Sequence, residues 1–223
     1  MNELSIIIPS YNDGQNVIKL INQLNEKNIH CQITIVESAN KDYFDKLNDY
    51  KNIKTIFGEK GRAKQLNKGA FLSTGNIFLF LHADSDISNI DLDVLKNMDK
   101  NTWGCFKLSF DSSKLYFRII EFTSNIRAKI LNLVFGDQAM FITKNLFNDV
   151  GGFNENLPFE DLNISLKLKK MMKNKIIDQK IITSSRRFYE HGIIYTHFVM
   201  FFIVLTYLIG FTNFSLKLYK LIK

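Results

Sequence analysis

Acidic side chains follow the apolar run NIFLFL, which has the composition of a buried strand. His82, Asp84 and Asp86 stand directly after this run. Carboxylates at such a position can hold a hard divalent cation that also bridges a diphosphate. Two aspartates at this spacing occur by chance in many proteins. Their position at the end of a predicted strand is therefore what favours a metal site. The pattern predicts Asp84 and Asp86 as ligands of Mg²⁺ or Mn²⁺.

Polar segments also follow two earlier strand-like runs. PSYND at 9–13 follows the first run, and ESAN at 37–40 follows QITIV. In an open α/β sheet, ligands bind beyond the carboxyl ends of the strands. The three segments are therefore expected to meet at one edge of the sheet.

The elements that would position these residues alternate between strand and helix. Apolar, β-branched runs predict strands, and helices with one apolar face lie between the first four of them. This alternation predicts an α/β fold, with a mostly parallel, Rossmann-like sheet covered by helices on both faces. The predicted strands are 4–8, 32–36, 53–57, 76–81, 102–111, 138–143 and 176–182, and the predicted helices include 61–73, 90–99, 113–134 and 161–173.

The chain has 223 residues and a formal net charge of +7. The excess lies in residues 101–223, which carry 17 basic and 9 acidic residues. Nucleic acid is disfavoured as a partner because the basic part lacks the interleaved aromatic strand motifs of such modules. The N-terminus lacks the pattern of a signal peptide, and Cys31 and Cys105 lack metal-site spacing. We therefore expect a cytoplasmic protein with two buried, reduced thiols.

The C-terminal part differs from the rest of the chain. Residues 193–214 are 22 residues without formal charge, near the length of about 20 that crosses a bilayer. Three states remain open: a span, a helix at the membrane interface, or a hydrophobic helix docked on the protein. Lysines at 217, 220 and 223 and a basic stretch before the segment favour contact with an anionic membrane surface. We expect a domain at 1–190 and a membrane-associating helix at 191–223.

A set of motifs resembles the family 2 glycosyltransferases, which have the GT-A fold. The motifs stand in the family's order over about residues 1–190, and they are similar to those of a bacterial subgroup found in arsenosugar-type gene neighbourhoods. They are IIIPSYND at 6–13, GRAKQLNKGA at 61–70, FLHADSD at 80–86, GDQAMFI at 136–142, GGF at 151–153 and ED at 160–161.

The resemblance implies a binding site for a nucleotide-sugar donor, with a UDP-sugar as the expected donor. It places the Tyr11 ring against the base, and Glu37 where the family has an Asp that reads the base edge. The usual D-G-x-S is E-S-A-N in this chain. His82 takes the place of the first Asp of the metal motif and leaves Asp84 as the aligned ligand. The implied donor-site residues are Pro9, Tyr11, Asn12, Glu37, Gly61, Arg62, Gln65, His82, Asp84, Arg186 and Arg187.

The resemblance also implies the catalytic residues. Asp161, beside Glu160 at a helix start, matches the catalytic base, and Asp137 would face or position the acceptor. A carboxylate at this place can take the proton of an acceptor hydroxyl while a metal and basic groups absorb charge on the leaving diphosphate. Asp161 could also be an ordinary carboxylate at a helix N-terminus.

These inferences predict an inverting hexosyltransferase that uses a nucleotide-diphosphate sugar and a hydroxyl acceptor. The hydrophobic tail suggests a lipid-linked or membrane-proximal acceptor and a peripheral or monotopic position at the inner face of the cell membrane. Two alternatives remain. One is a nucleotidyltransferase of similar fold, although PSYNDGQN lacks the Gly-rich, basic loop expected there. The other is an inactive, membrane-tethered protein that binds nucleotide sugars.

Overall fold

The computed structural model describes residues 3–47 and 50–222 and contains a seven-stranded sheet. The strand order is β3-β2-β1-β4-β6-β5-β7, and only β6 runs antiparallel to its neighbours. This arrangement confirms the predicted α/β class. The strands are β1 Leu4–Ser10, β2 Gln32–Glu37, β3 Ile53–Phe57, β4 Ile77–Phe80, β5 Trp103–Phe110, β6 Phe141–Thr143 and β7 Lys175–Thr183.

Eight α-helices accompany the sheet in the described residues. They are α1 Gly14–Glu26, α2 Arg62–Phe71, α3 Leu115–Leu131, α4 Lys144–Asp149, α5 Glu160–Met171, α6 Arg186–His191, α7 Ile193–Leu208 and α8 Thr212–Tyr219.

The core lies on both faces of the sheet. Ile6 and Ile8 of β1 pack on the face covered by α1, whereas Ile7 between them packs on the face covered by α2 and α5. Successive side chains of a strand point to opposite faces. The uninterrupted apolar sequence of β1 is therefore explained by burial on both sides.

Several predicted element bounds are wrong. The helix predicted at 90–99 is a single 3₁₀ turn at Leu92–Leu95. Helix α3 stops at Leu131 rather than at 134, because Asn132 has a φ of 52° and ends the helix in the left-handed conformation. The strand predicted at 138–143 covers only Phe141–Thr143, since Gly136–Gln138 form a 3₁₀ turn. Cys105 is buried as expected, but Cys31 is only partly buried.

The C-terminal segment is a helical hairpin, which corrects the expectation of one continuous helix at 193–214. Helix α7 ends at Leu208, and α8 begins at Thr212 after a turn in which Gly210 has a φ of 93°. That φ favours glycine, which has no Cβ to clash. Within the described residues, no helix combines the length and apolar character needed to cross a membrane.

The hairpin is docked on the rest of the fold. The Tyr207 hydroxyl donates a hydrogen bond to Asn163 Oδ1 at 2.5 Å, and the rings of Tyr207 and Tyr219 both lie edge-on to Phe159. Ile222 is fully buried against Val199 and Ile203 of α7. The division of the chain at residue 190 stays a prediction, and Lys223 lies outside the described residues.

Candidate active site

A polar cavity of about 580 Å³ opens beyond the carboxyl ends of β1 and β4. This is the edge at which the sequence predicted a site. Most of the predicted site residues line the cavity, namely Pro9, Tyr11, Gly61, Arg62, Gln65, His82, Asp84, Asp137, Asp161, Arg186 and Arg187. The lining does not include Asn12, Glu37, Asp86 or Glu160.

Glu37 is fully buried and supports the loop after β1, where it was expected to read the base edge. Its Oε1 accepts hydrogen bonds from the backbone N–H groups of Asn12, Ser38 and Ala39, at 2.7 to 3.1 Å. Its Oε2 accepts from the hydroxyls of Ser10 and Tyr43. Five protein donors occupy the carboxylate, so this geometry leaves no place for a base-edge contact by Glu37.

Burial alone would raise the pKa of Glu37, but its hydrogen bonds outweigh that effect and hold the pKa below the usual value. The Asn12 backbone has a φ of 55°, which asparagine tolerates better than most residues. Asn12 therefore contributes its backbone to this support and does not line the cavity.

Gln65 has a similar supporting role at the cavity wall. Its Nε2 donates to the backbone oxygens of Ser10 and Val36, at 2.6 and 2.7 Å. These contacts join the ends of β1 and β2 to α2. Gly61 precedes α2 with a φ of 140°, in a region that favours glycine. The GRAKQ motif therefore brings Arg62 to the cavity and locks the neighbouring strand ends.

Tyr11 lies at the mouth of the cavity and is about half exposed. Lys60 Nζ lies 4.2 Å from the centre of its ring and 2.9 Å from its hydroxyl oxygen. Sequence reasoning overlooked Lys60, although it stands directly before the GRAKQ motif. The pair offers an aromatic face and a cation at the place predicted for the base, and the stacking of a base there stays a prediction.

Asp84 lines the cavity together with Asp13, a residue that the motifs did not single out. Burial raises the pKa of Asp84, and the nearby Asp13 raises it further. Burial and the cations of Arg62 and Arg187 hold the pKa of His82 well below its usual value. A neutral imidazole and two carboxylates thus share this wall.

Asp86 points elsewhere, so the structure does not bring it together with Asp84. Its Oδ1 accepts a hydrogen bond from the Ser88 N–H at 2.9 Å, and its backbone pairs with Ile182. The carboxylate caps a turn, which separates it from the cavity. Across residues 3–47 and 50–222, no group of three or more His, Cys, Asp or Glu could hold a metal ion unaided.

Asp161 lies in the first turn of α5 and is held by backbone groups. Its Oδ2 accepts a hydrogen bond from the Gly136 N–H at 2.9 Å, and its Oδ1 accepts from the Leu162 N–H at 2.7 Å. These two bonds orient the carboxylate. Glu160 lies outside the polar cavity and pairs with Arg62 at 3.4 Å. Burial, and then the neighbouring Asp161, raise the pKa of Glu160.

Asp137 lies near Asp161, and its Oδ1 is buried without a hydrogen-bond partner among the described residues. Burial raises the pKa of Asp137 to about 6, although Arg127 opposes the shift. A buried acceptor without a donor is costly unless a ligand or water completes it. Asp137 Oδ1 is therefore placed to accept a hydrogen bond from a hydroxyl group of a bound molecule.

Arg186 and Arg187 begin α6 and line the cavity together with Arg62. Arg186 is mostly exposed and lies 3.8 Å from Glu190. Arg187 also lines a second cavity, of about 280 Å³, that lies between α5 and the hairpin. Sequence reasoning missed this second cavity, because no motif marks the hairpin residues that enclose it.

Comparison with known proteins identifies the family. The sequence profile of "Glycosyl transferase family 2" matches residues 5–153, about two thirds of the chain. None of the curated proteins compared with the chain matches it. The match favours the predicted glycosyltransferase over a nucleotidyltransferase; it does not test the proposed bacterial subgroup.

Solved structures support the fold. A mannosyltransferase from Pyrobaculum calidifontis, solved with GDP-mannose and Mn²⁺, superposes with a TM-score of 0.61 at 16% identity. The superposition covers 88% of this chain and 63% of the mannosyltransferase. The chain therefore shares the GT-A fold while spanning less than two thirds of that protein. Together with the sequence profile, this places the chain in glycosyl transferase family 2.

Proposed function

We propose that the protein transfers a hexose-type sugar from a nucleotide-diphosphate donor to a hydroxyl acceptor, with inversion at the anomeric carbon. The observation that carries the proposal is the position of Asp161. It lies on the wall shared by the polar cavity and the second cavity, with its carboxylate oriented by two backbone N–H groups. A base at such a junction can serve an acceptor on one side and a donor on the other.

The polar cavity suits the donor. Its three arginines, Arg62, Arg186 and Arg187, suit the diphosphate, because one guanidinium group can donate two parallel hydrogen bonds to phosphate oxygens. The Tyr11 ring and Lys60 offer a stacking surface for the base. A UDP-sugar remains the expected donor.

The residues present fit a divalent cation shared with the diphosphate. Asp84 and Asp13 line the same cavity, where burial and then the charge of Asp13 raise the pKa of Asp84. Mg²⁺ and Mn²⁺ sites often use one or two carboxylates and complete their shell with substrate phosphates and water. Asp84 would hold the ion, which would neutralise charge on the leaving diphosphate.

The transfer step follows from the arrangement. The acceptor oxygen attacks the anomeric carbon from the face opposite the diphosphate, and Asp161 takes the hydroxyl proton. The bond between the anomeric carbon and the diphosphate oxygen breaks, and the electron pair leaves with the diphosphate. Arg62 and Arg187 stabilise that charge.

We also propose that the protein binds the inner, anionic face of a membrane. Helix α3 exposes an apolar stripe at Leu115, Ile119, Phe122, Ile126 and Ile130, opposite the face that packs on β5. Helix α7 lies beside it, and His197 of α7 lies within 3.4 Å of Tyr116 and Thr123 on α3. The hairpin exposes further apolar side chains at Phe198, Phe201, Phe202, Phe211 and Phe214. We call these ten residues the outer apolar surface.

Charge supports a membrane as the partner of this surface. The sequences of α3, α7 and α8 contain one acidic residue, Glu121, which is buried and paired with Arg118. Lys129 and Lys217 lie in the last turns of α3 and α8. Apolar side chains accompanied by cations are typical of helices that lie in an anionic membrane interface.

The transfer proposal is tested by incubating the protein with UDP-, GDP- or dTDP-sugars, Mn²⁺ and an alcohol acceptor. Proton NMR of the product reports its anomeric configuration. We expect one of the donors to yield a glycoside whose configuration is opposite to that of the donor. Retention of configuration, or the absence of transfer from every donor, would contradict the proposal.

A further inference from the structure

We propose that the second cavity binds the hydrocarbon part of a lipid alcohol whose hydroxyl is the acceptor. This inference rests on the proposed function and names the acceptor class for the same active site. The structure places an apolar chamber directly behind Asp161, and the C-terminal hairpin supplies much of its wall. We call it the apolar cavity.

The lining of the apolar cavity matches a hydrocarbon. Its polar side chains are Arg62, Glu160, Asp161, Arg187 and Tyr219, and the remaining nine are apolar. A sugar acceptor would need several hydrogen-bond partners around its hydroxyls, whereas apolar pockets use few polar groups to orient a ligand. The nine apolar residues are Phe135, Pro158, Phe159, Leu162, Met200, Ile203, Val204, Leu216 and Ile222.

The size of the cavity also favours an alkyl chain as its occupant. Its volume of about 280 Å³ is roughly half that of the polar cavity. Small-molecule sites usually start at about 300 Å³, so the apolar cavity is near the lower limit. A slender alkyl chain fits such a space better than a folded or branched acceptor.

The two cavities meet at the catalytic carboxylate. Both are lined by Arg62, Asp161 and Arg187 on the polar side, and by Phe135, Met200 and Ile222 on the apolar side. A lipid with its chain between α5 and the hairpin would therefore present its terminal hydroxyl at Asp161. Asp137, whose Oδ1 has no hydrogen-bond partner among the described residues, lines the polar cavity at this junction and would accept a hydrogen bond from the acceptor.

The walls of the cavity are held in place by specific contacts. The Tyr207 hydroxyl binds Asn163 on α5, and the hydroxyls of Thr206 and Ser215 lie 2.8 Å apart across the hairpin. Phe159 contacts the rings of Tyr207 and Tyr219. These contacts join the hairpin to α5, so the cavity is a built space between two packed elements.

The hairpin also connects this space with the outer apolar surface. Helix α7 turns Met200, Ile203 and Val204 toward the cavity and turns Phe198 and Phe202 toward solvent. A helix that lies in a membrane interface with this orientation would bring the cavity to the level of the lipid chains. The acceptor would then enter from the membrane, while the nucleotide sugar enters the polar cavity from water.

The test measures the binding of 1-butanol, 1-hexanol and 1-octanol by isothermal titration calorimetry, without membranes. We expect the affinity to rise about threefold to fourfold for each added methylene that the cavity buries. The variant Val204→Trp fills the cavity and should weaken 1-octanol binding at least tenfold. Leu216→Trp, which fills the cavity from α8, should weaken binding in the same way, so the test does not depend on one variant. Circular dichroism checks that both variants are folded.

Leu205→Trp is the matched control, because Leu205 is the next residue on α7, is exposed and does not line the cavity. It should bind 1-octanol like the wild type. Equal binding of 1-octanol by the wild type and both folded cavity variants would overturn the proposal, as would equal binding of 1-octanol and triethylene glycol by the wild type. Release of sugar from the donor to water, measured on the wild type, tests the proposed function separately, since it needs no lipid.

Discussion

The polar and apolar cavities meet at Asp161, but different parts of the chain build them. The polar cavity is framed by the ends of β1 and β4 and by the start of α2, where Glu37 and Gln65 lock neighbouring strand ends together. The apolar cavity depends on the hairpin, which is held by a few hydroxyl and aromatic contacts. The family profile covers residues 5–153, which include the strand ends that frame the polar cavity, and it ends before Asp161 and the hairpin.

The largest effect is expected at the junction of the two cavities. Asp161→Asn removes the proposed base while keeping the size of the side chain. We expect transfer to fall by about 10² to 10⁴-fold, the usual contribution of general base catalysis, with little change in donor affinity. Initial rates and donor titrations measure the two quantities. Asp178→Asn, a surface carboxylate that pairs with Lys107, is the control and should retain full activity. Transfer by a folded Asp161→Asn at the wild-type rate would exclude Asp161 as the base.

A smaller effect is expected on the donor side from the proposed cation ligand. Asp84→Asn should lower the transfer rate about 100-fold at a fixed Mn²⁺ concentration. A bound cation stabilises the charged transition state by several kcal/mol, and the variant would lose part of that stabilisation. The Mn²⁺ needed for half-maximal rate should rise as well. Asp86→Asn is the matched control, since Asp86 caps a turn outside the cavity. A stronger effect at Asp86 than at Asp84 would reverse the assignment.

On the acceptor side, the outer apolar surface should control membrane binding. Phe198→Ser combined with Phe202→Ser should weaken binding to phosphatidylserine-containing vesicles by about 10 to 100-fold, since each phenylalanine contributes apolar burial. Co-sedimentation measures the bound fraction. Phe71→Ser removes a phenylalanine that is 87% exposed on α2 and should bind like the wild type. Vesicle binding that is unchanged by the double substitution would argue against this surface.

The smallest effect is expected from Glu37, whose hydrogen bonds support the loop after β1 at the polar cavity. Glu37→Gln should lower the free energy of unfolding at pH 7 by about 1 to 2 kcal/mol, because the amide replaces one charged acceptor. The native pKa of Glu37 is lowered, so its contribution is complete above the unfolded pKa of about 4.3 and is lost as the pH falls through the native pKa. Urea unfolding from pH 3 to 7 should therefore show weaker acid dependence in the variant. An effect no larger than that of Glu59→Gln, an exposed carboxylate that pairs with Lys64 at the surface, would contradict this role.

Much of the fold could be predicted because strands buried on both faces are marked by continuous apolar sequence. The runs at β1, β2 and β4 are of this kind, and their order along the chain predicts parallel crossovers. The prediction of a helix at 90–99 failed because Leu92 and Leu95 are buried by a single 3₁₀ turn, whose spacing resembles part of a helix. The break at Gly210 was missed because the apolar character of the segment continues through the turn.

The candidate site was predictable where a motif follows a strand, as at Pro9, Tyr11 and Asp84. Side-chain direction was not predictable, because an extended segment would place Asp84 and Asp86 on the same face. A turn at residues 83–84 separates them, and only Asp84 faces the cavity. The role of Glu37 depends on donors from two segments, 10–12 and 38–43, and the first of these is brought to it only by the pairing of β1 with β2. The apolar cavity depends on tertiary packing of the hairpin, so neither composition nor motif could locate it.

The most direct test of the central claim is the thermal unfolding of the wild type with nucleotide sugars and Mn²⁺. UDP-, GDP- and dTDP-sugars are compared with the free sugars and with inorganic phosphate. A ligand at 100 times its Kd stabilises the native state by about 2.7 kcal/mol, so the cognate donor should raise the unfolding midpoint by several degrees. No increase with any nucleotide sugar, or an equal increase with phosphate alone, would contradict a donor site in the polar cavity.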